Sequence, residues 1–336
     1  LEAYSDNNSI SENKITDNHG TGIDLYESSN YNSINANTIV NNSYSIWLDS
    51  SSNNSISGNN IVDSRIGIVL GAFSNSNSIF GNNVTDDSEY GIWLGSSSNN
   101  KIEGNTLTNN SNCGVWLVSS SKNSINRNII ANNNDYGIYL DSSSNNSMSG
   151  NTVANNSNGI TVYSYSNSNS IKGNTIANNH VGLGFYYYTS NNIVYHNNLL
   201  NNTQQIYDYS LDPPYTPLPS RNMWDNGYEG NYWSNYNGTD LDNDGVGDTF
   251  LPFLPWEGVE SYPLMNVYWN PSDINHDLEV NRNDINISAR AFGTRGGDAL
   301  WNPHADITGP EQLVSDEKVD MRDIGMVARH FGEHYP

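Results

Sequence analysis

The chain has 336 residues and a net charge of −23, from 36 acids against 13 bases. That balance excludes nucleic acid and anionic membrane surfaces as partners, because phosphate recognition needs clustered Lys and Arg. No run of ~18 apolar residues is present to cross a bilayer, and the one cysteine, Cys113, makes neither an internal disulfide nor a Cys-based zinc site.

Only 35% of the residues are hydrophobic, but they are strictly spaced. An apolar residue recurs at Ile10, Ile34, Ile56, Ile79, Ile102, Ile125, Met148, Ile171 and Val194, at spacings of 24, 22 and then 23. A second follows each by five positions, as at Ile15 and Ile39, and a third usually lies in a Gly-Ile-x-Leu phrase such as Gly91-Ile92-Trp93-Leu94. A fixed period of this length means a solenoid. The short apolar phrases read as strands and the Asn-Asn-Ser clusters between them as turns. The expectation is an all-β fold: a right-handed parallel β-helix over residues 1–210, one ~23-residue coil per repeat, whose stacked coils bury what one coil could not.

Three residues after each first apolar position stands an asparagine: Asn13, Asn37, Asn59, Asn82, Asn105, Asn128, Asn151, Asn174 and Asn197. Such a column predicts a ladder of side-chain amides bonded from coil to coil. The Asn-rich turns also create ten N-x-S/T sequons, at Asn7, Asn41, Asn53, Asn83, Asn109, Asn145, Asn155, Asn201, Asn237 and Asn286. They are either chance products of composition or acceptors in a secreted glycoprotein; the corners that carry most of them should face solvent. Leu1 to Ile10 matches Leu25 to Ile34. The chain is therefore expected to begin inside a coil, leaving an open coil end for self-association or capping.

In the Gly-Ile-x-Leu phrase the x residue points outward by strand alternation. It is Trp47, Val69, Trp93, Trp116 and Tyr139 in successive coils. Exposed aromatic patches mark an interface or a ligand. Three readings stay open: packing under the protein's own C-terminal modules, contact with another subunit, or stacking on the sugar rings of a glycan.

The chain changes character near residue 210, since none of its 11 prolines precedes Pro213. Residues 211–268 read as an irregular cap. Within it Asp240, Asp242, Asp244, Val246 (through its carbonyl) and Asp248 alternate around Gly245, the pattern of a calcium loop, or of an acidic surface turn. The repeat, Gly230-Asn231-Tyr232-Trp233, the Asp240–Asp248 loop and Tyr262-Pro263-Leu264-Met265 together resemble a family of parallel β-helix proteins described as periplasmic copper-binding, or as carbohydrate-binding and sugar-hydrolase, repeats. That family is common among archaeal surface proteins, and the resemblance covers residues 1 to about 265. The copper label does not transfer, because the seven histidines and five methionines form no cluster of soft ligands.

Residues 269–336 contain a duplication: Trp269-Asn270-Pro271 recurs as Trp301-Asn302-Pro303, and Asp284-Ile285 as Asp323-Ile324, each copy an acidic loop before a short amphipathic helix. In the first, Asp273, Asn275, Asp277, Glu279, Asn281 and Asp284 fall at positions 1, 3, 5, 7, 9 and 12 of a twelve-residue calcium loop. In the second, Asp306 and Thr308 begin the pattern and Asp316, Lys318, Asp320 and Asp323 resume it after six extra residues. The pair resembles a type I dockerin module, although Leu278 stands where the turn glycine belongs. That resemblance implies calcium-dependent folding and docking to a cohesin-like protein partner; the alternative is a calcium-stabilised module with no partner.

No Ser-His-Asp order, HExxH or phosphate-binding glycine loop is present, and Asp63, Asp86, Asp87 and Glu89, near Arg65, read as a turn surface. An enzyme is therefore not expected. The sequence favours an extracellular or cell-surface structural β-solenoid, with calcium-stabilised C-terminal modules for assembly or anchoring. The second choice is a polysaccharide-binding protein that uses the aromatic stripe.

Overall fold

The computed structural model describes residues 1–208, 222–242, 244–254, 258–268, 274, 280, 282–295, 298–300, 305 and 318–329. Leu1–Val267 form one compact unit and Tyr268–Pro336 a second.

The first unit is a parallel β-solenoid. Each coil supplies three short strands, for example Ser78–Phe80, Asn83–Thr85 and Tyr90–Gly95. Like strands stack coil upon coil into sheets of nine, ten and nine strands. Ile79 pairs in register with Ile56 and Ile102, Val84 with Ile61 and Leu107, and Leu94 with Leu70 and Leu117. A three-residue strand turns one side chain inward and two outward, so a chain poor in apolar residues still stacks a continuous core from Ile23 to Leu199. A one-residue slip would turn every inward side chain to solvent, which fixes the register.

Four polar ladders line the corners. In the column that begins at Asn13, each main-chain N–H and side-chain Nδ2 donate to the next Oδ1; from Asn105 to Asn128 the distances are 2.9 and 3.0 Å. The Nδ2 group also donates to an interior carbonyl, as from Asn128 to Ile102 O at 3.0 Å. A second asparagine column runs from Asn8 through Asn100 to Asn222, and a third from Asn18 through Asn133 to Asn202. A serine column, Ser29, Ser51, Ser74, Ser97, Ser120, Ser143 and Ser166, offers each Oγ to the main-chain N–H of the preceding coil. These side chains satisfy backbone groups that a tight corner would otherwise bury unpaired.

The described part of segment 211–268 closes the C-terminal end of the solenoid. Tyr232–Trp233 adds a tenth strand to the second sheet, and Met223 bridges Ile193 of the first. Trp224 and Trp233 join the buried core, with Trp224 edge-on to Phe185 at 5.4 Å. The asparagine ladders end there too. Asn192 donates to Asn222 Oδ1 at 2.9 Å, and Asn202 to Gln205 Oε1 at 2.8 Å. The column that begins at Asn13 ends at Asn231, whose main-chain N–H donates to Glu260 Oε1 and whose Nδ2 donates to Glu260 Oε2 at 3.4 Å. Glu260, brought in by the antiparallel pair Leu251–Leu254 and Gly258–Glu260, thus stands where the next ladder residue would be. Trp233 Nε1 donates to it as well.

In the second unit, α1 (Arg282–Ala291) and α2 (Met321–Arg329) enclose a small core of Ile274, Val280, Ala291, Ala305, Val319 and Val327. No described helix is long and apolar enough to cross a membrane.

Candidate functional site

The third sheet differs from the other two in what it shows to solvent. Its full strands bury two consecutive residues at the corner and then alternate, as the exposure pattern of Tyr90–Gly95 shows. Each such strand therefore presents three outward side chains: Tyr44, Trp47 and Asp49 in one coil, Tyr136, Tyr139 and Asp141 in another. The first of the two buried residues is glycine in most coils. A Cβ at Gly114 would lie 2.4 Å from Ile130 Cγ2 and 2.9 Å from Gly137 O, so the position excludes side chains by close approach.

Trp93, Trp116 and Tyr139 sit at paired register positions and form a stack, with centroids 6.3 and 6.0 Å apart. The row of rings continues edge-on to Tyr163 at 5.8 Å and then, tilted, through Tyr186 at 6.1 Å and Tyr207 at 5.3 Å. Tyr90 packs on Trp116 at 4.7 Å and Tyr136 on Tyr139 at 4.6 Å, closing over Cys113 between them. Trp47 stands apart, edge-on to Tyr44 at 4.4 Å. Val69, at the same register position, is buried rather than exposed, because it is small enough to be covered by its larger neighbours. The sequence pattern stopped at Tyr139. The later rings were missed because Thr161 and Gly184 occupy the x position, and Tyr163 and Tyr186 enter from two residues further on. The ring of Tyr186 lies over Gly184, where a Cβ would meet its Cε2 at 2.7 Å.

These rings are half-buried against one another and the sheet. Burial raises the phenol pKa of Tyr90, Tyr136 and Tyr139, and that of Tyr186 to about 12, so all stay neutral hydrogen-bonding groups. The indole Nε1 atoms of Trp93 and Trp116 are shielded from solvent without a partner, so the surface these rings offer is carbon. The strands of this sheet contain no Lys, Arg or His; their charges are Asp24, Asp49, Asp141 and Asp208. Arg65, at its border, is paired with Glu89 at 2.8 Å.

The four acids read as one turn surface separate. Asp63 and Asp86 are exposed with left-handed φ of 56° and 60°, and Glu89 holds Arg65. Asp87 points inward and is fully buried, taking an asparagine's place in the third ladder. Its Oδ1 accepts Ser64 N–H at 2.8 Å, while Oδ2 has no partner, and burial pushes its carboxyl well above the usual range.

In the cap loop, the carboxylates of Asp240, Asp242 and Asp244 bring ligand oxygens within 4.8 Å of one another. Asp240 Oδ2 also accepts Gly245 N–H at 3.0 Å, and Gly245 takes the left-handed φ of 88° that the turn needs. Asp248 instead accepts Leu241 N–H at 2.6 Å, and Val246 bridges Leu264. In the second unit Asp284 and Asp323 are fully buried at the starts of α1 and α2, where they accept Ile274 N–H at 2.8 Å and Asp320 N–H at 2.7 Å. Lys318 lies 3.5 Å from Asp320. Asp273, Asn275, Asp277, Glu279, Asn281, Asp306, Thr308 and Asp316 fall outside the described residues. All ten sequon asparagines are exposed.

Residues 1–89 and 81–238 match the model of a family described as periplasmic copper-binding protein (NosD). The chain belongs to the NosD family. Copper favours imidazole and sulfur ligands. In this NosD-family chain the described histidines, His19, His180 and His196, form no ligand group with one another or with Cys113, whose thiol burial keeps protonated. The described donor set does not fit copper. Among solved structures, the fold is similar to a double mutant of the periplasmic alginate epimerase AlgG, with TM-score 0.52 and 21% identity over 59% of this chain and 51% of that one. It is also similar to DFA-IIIase from Arthrobacter chlorophenolicus A6 without its lid, with TM-score 0.52 and 15% identity over 62% and 56%. The chain spans about half the length of the epimerase, 51%. At these identities the likeness is one of fold. No curated protein matches the chain.

Proposed function

We propose that this NosD-family protein works outside the cytoplasm as a polysaccharide-binding β-solenoid, with the outward face of its third sheet as the platform. The observation that carries this reading is the unbroken layer from Trp93 to Tyr207, five ring-to-ring steps of 5.3 to 6.3 Å along consecutive coils. Aromatic carbon surface suits the C–H faces of pyranose rings, and the phenol hydroxyls add donors and acceptors at its edge. A polymer with a regular repeat can follow a ladder with a regular repeat. The family's description as periplasmic and the exposure of every sequon asparagine support an extracytoplasmic site. The test is co-sedimentation with insoluble polysaccharides, comparing the protein with a Trp93→Ala, Trp116→Ala double variant. Retention by the protein and loss in the variant is expected; equal retention of both would refute the platform.

A second reading, structural assembly or anchoring through the C-terminal unit, is favoured by the buried acids Asp284 and Asp323, which close two loops of calcium-binding pattern and resemblance to a dockerin. In this reading calcium is held by these loops and by Asp240, Asp242 and Asp244, an all-oxygen set suited to a hard cation. The two readings are compatible, one face binding and one end anchoring.

A further inference from the structure

We infer that the aromatic face takes an uncharged polysaccharide and rejects polyuronates. This rests on the platform reading and adds the charge class of the ligand. Nine strands make up the third sheet, and none carries a Lys, Arg or His. At its border, Arg65 is held by Glu89 at 2.8 Å, and His180 precedes the strand Val181–Phe185 as a single imidazole. A polyuronate brings one carboxylate per sugar and needs cations spaced along its path; the strands of this face supply none.

The face instead offers carboxylates. Asp49 and Asp141 stand in the same outward column, two residues after Trp47 and Tyr139, and the following serine hydroxyls donate to their Oδ1 atoms at 2.9 and 3.0 Å. A carboxylate fixed this way accepts hydrogen bonds from sugar hydroxyls and repels a uronate, with little screening at low salt. The net charge of −23 acts in the same direction over a longer range. Chemistry and field therefore agree on a neutral, hydroxyl-rich chain lying along the rings.

The experiment is affinity electrophoresis in gels holding a soluble neutral glycan (hydroxyethylcellulose, mixed-linkage β-glucan, galactomannan or arabinoxylan) or alginate, at low and at physiological salt. At least one neutral glycan is expected to retard the protein at both salts, and alginate at neither. Trp116→Phe should keep part of that affinity and Trp116→Ala should lose about tenfold or more, with circular dichroism checking that the coils remain folded. Retardation by alginate, weakened in Trp116→Ala, would overturn the charge inference and leave the platform standing. Retardation by no glycan, or retardation unaffected by Trp116→Ala, would overturn the platform itself.

Discussion

Asp87 shows how one residue can depend on pH inside an otherwise uncharged ladder. The asparagines that follow it in the column donate through Nδ2, as Asn110 does to Asn133 Oδ1 at 2.9 Å, but Asp87 Oδ2 can do so only when protonated. The folded carboxyl titrates well above its ordinary 3.8, so the folded state holds the proton more tightly than the unfolded chain. This contribution is fully present below about pH 4 and is lost as pH rises through the folded value. Asp87→Asn supplies the missing donor at every pH. It should stabilise the protein at pH 7 by about 1–3 kcal/mol, and thermal melts should show the gain shrinking toward pH 4. An unchanged or lower melting temperature at pH 7 would contradict the assignment. Glu260 follows the same sign. Burial outweighs its hydrogen bonds from Asn231 and Trp233 and lifts its pKa from 4.5 to about 8. The cap should loosen as pH rises from 4.5 through 8, read by the fluorescence of Trp224 and Trp233, which pack at 6.4 Å.

At the scale of the coil, two columns set what each position tolerates. Gly114→Ala pushes a methyl to 2.4 Å from Ile130 Cγ2 and 2.9 Å from a carbonyl, and should cost about 1–3 kcal/mol. Gly20→Ala meets nothing within 4 Å and should cost far less. Asn128→Ala strands the Asn105 main-chain N–H and Ile102 O together, and denaturant unfolding should show a loss of about 2–3 kcal/mol; a loss under half a kcal/mol would mean the ladder is decorative. The coil itself was legible because apolar residues return every 23 positions with asparagine three later. The other ladders carry the same period at Asn8, Asn18 and Ser5, yet they sit in turn clusters where Asn and Ser have a ready local explanation. Asp87 hid for the same reason: an acid in an acidic turn reads as exposed until its column is followed inward.

Across the first unit, the cap was legible as a change in composition, but its contacts were not. They are non-local: Glu260 meets Asn231 29 residues away, and Asn192 meets Asn222 30 residues away. All three asparagine ladders are closed at this end by cap residues or Gln205, so its backbone edges are partly covered rather than open to pairing. The calcium reading predicts that EGTA speeds hydrogen exchange around Asp240–Asp248 and in α1 and α2 while the coil strands keep their protection. Unchanged exchange in all of these segments would remove calcium from the account. The aromatic face was half legible, since its first rings share one phrase, Tyr163 and Tyr186 enter from shifted positions, and Tyr207 returns to the x position outside the Gly-Ile-x-Leu phrase. Hydroxyl-radical footprinting tests its role most directly, with the side-chain oxidation of Trp93, Trp116 and Tyr139 measured in the presence and absence of soluble neutral polysaccharides. The platform predicts protection of these rings by at least one glycan, with Tyr228 and Phe250, exposed in the cap, unchanged as internal controls. Equal oxidation of the ladder with and without every glycan would contradict it.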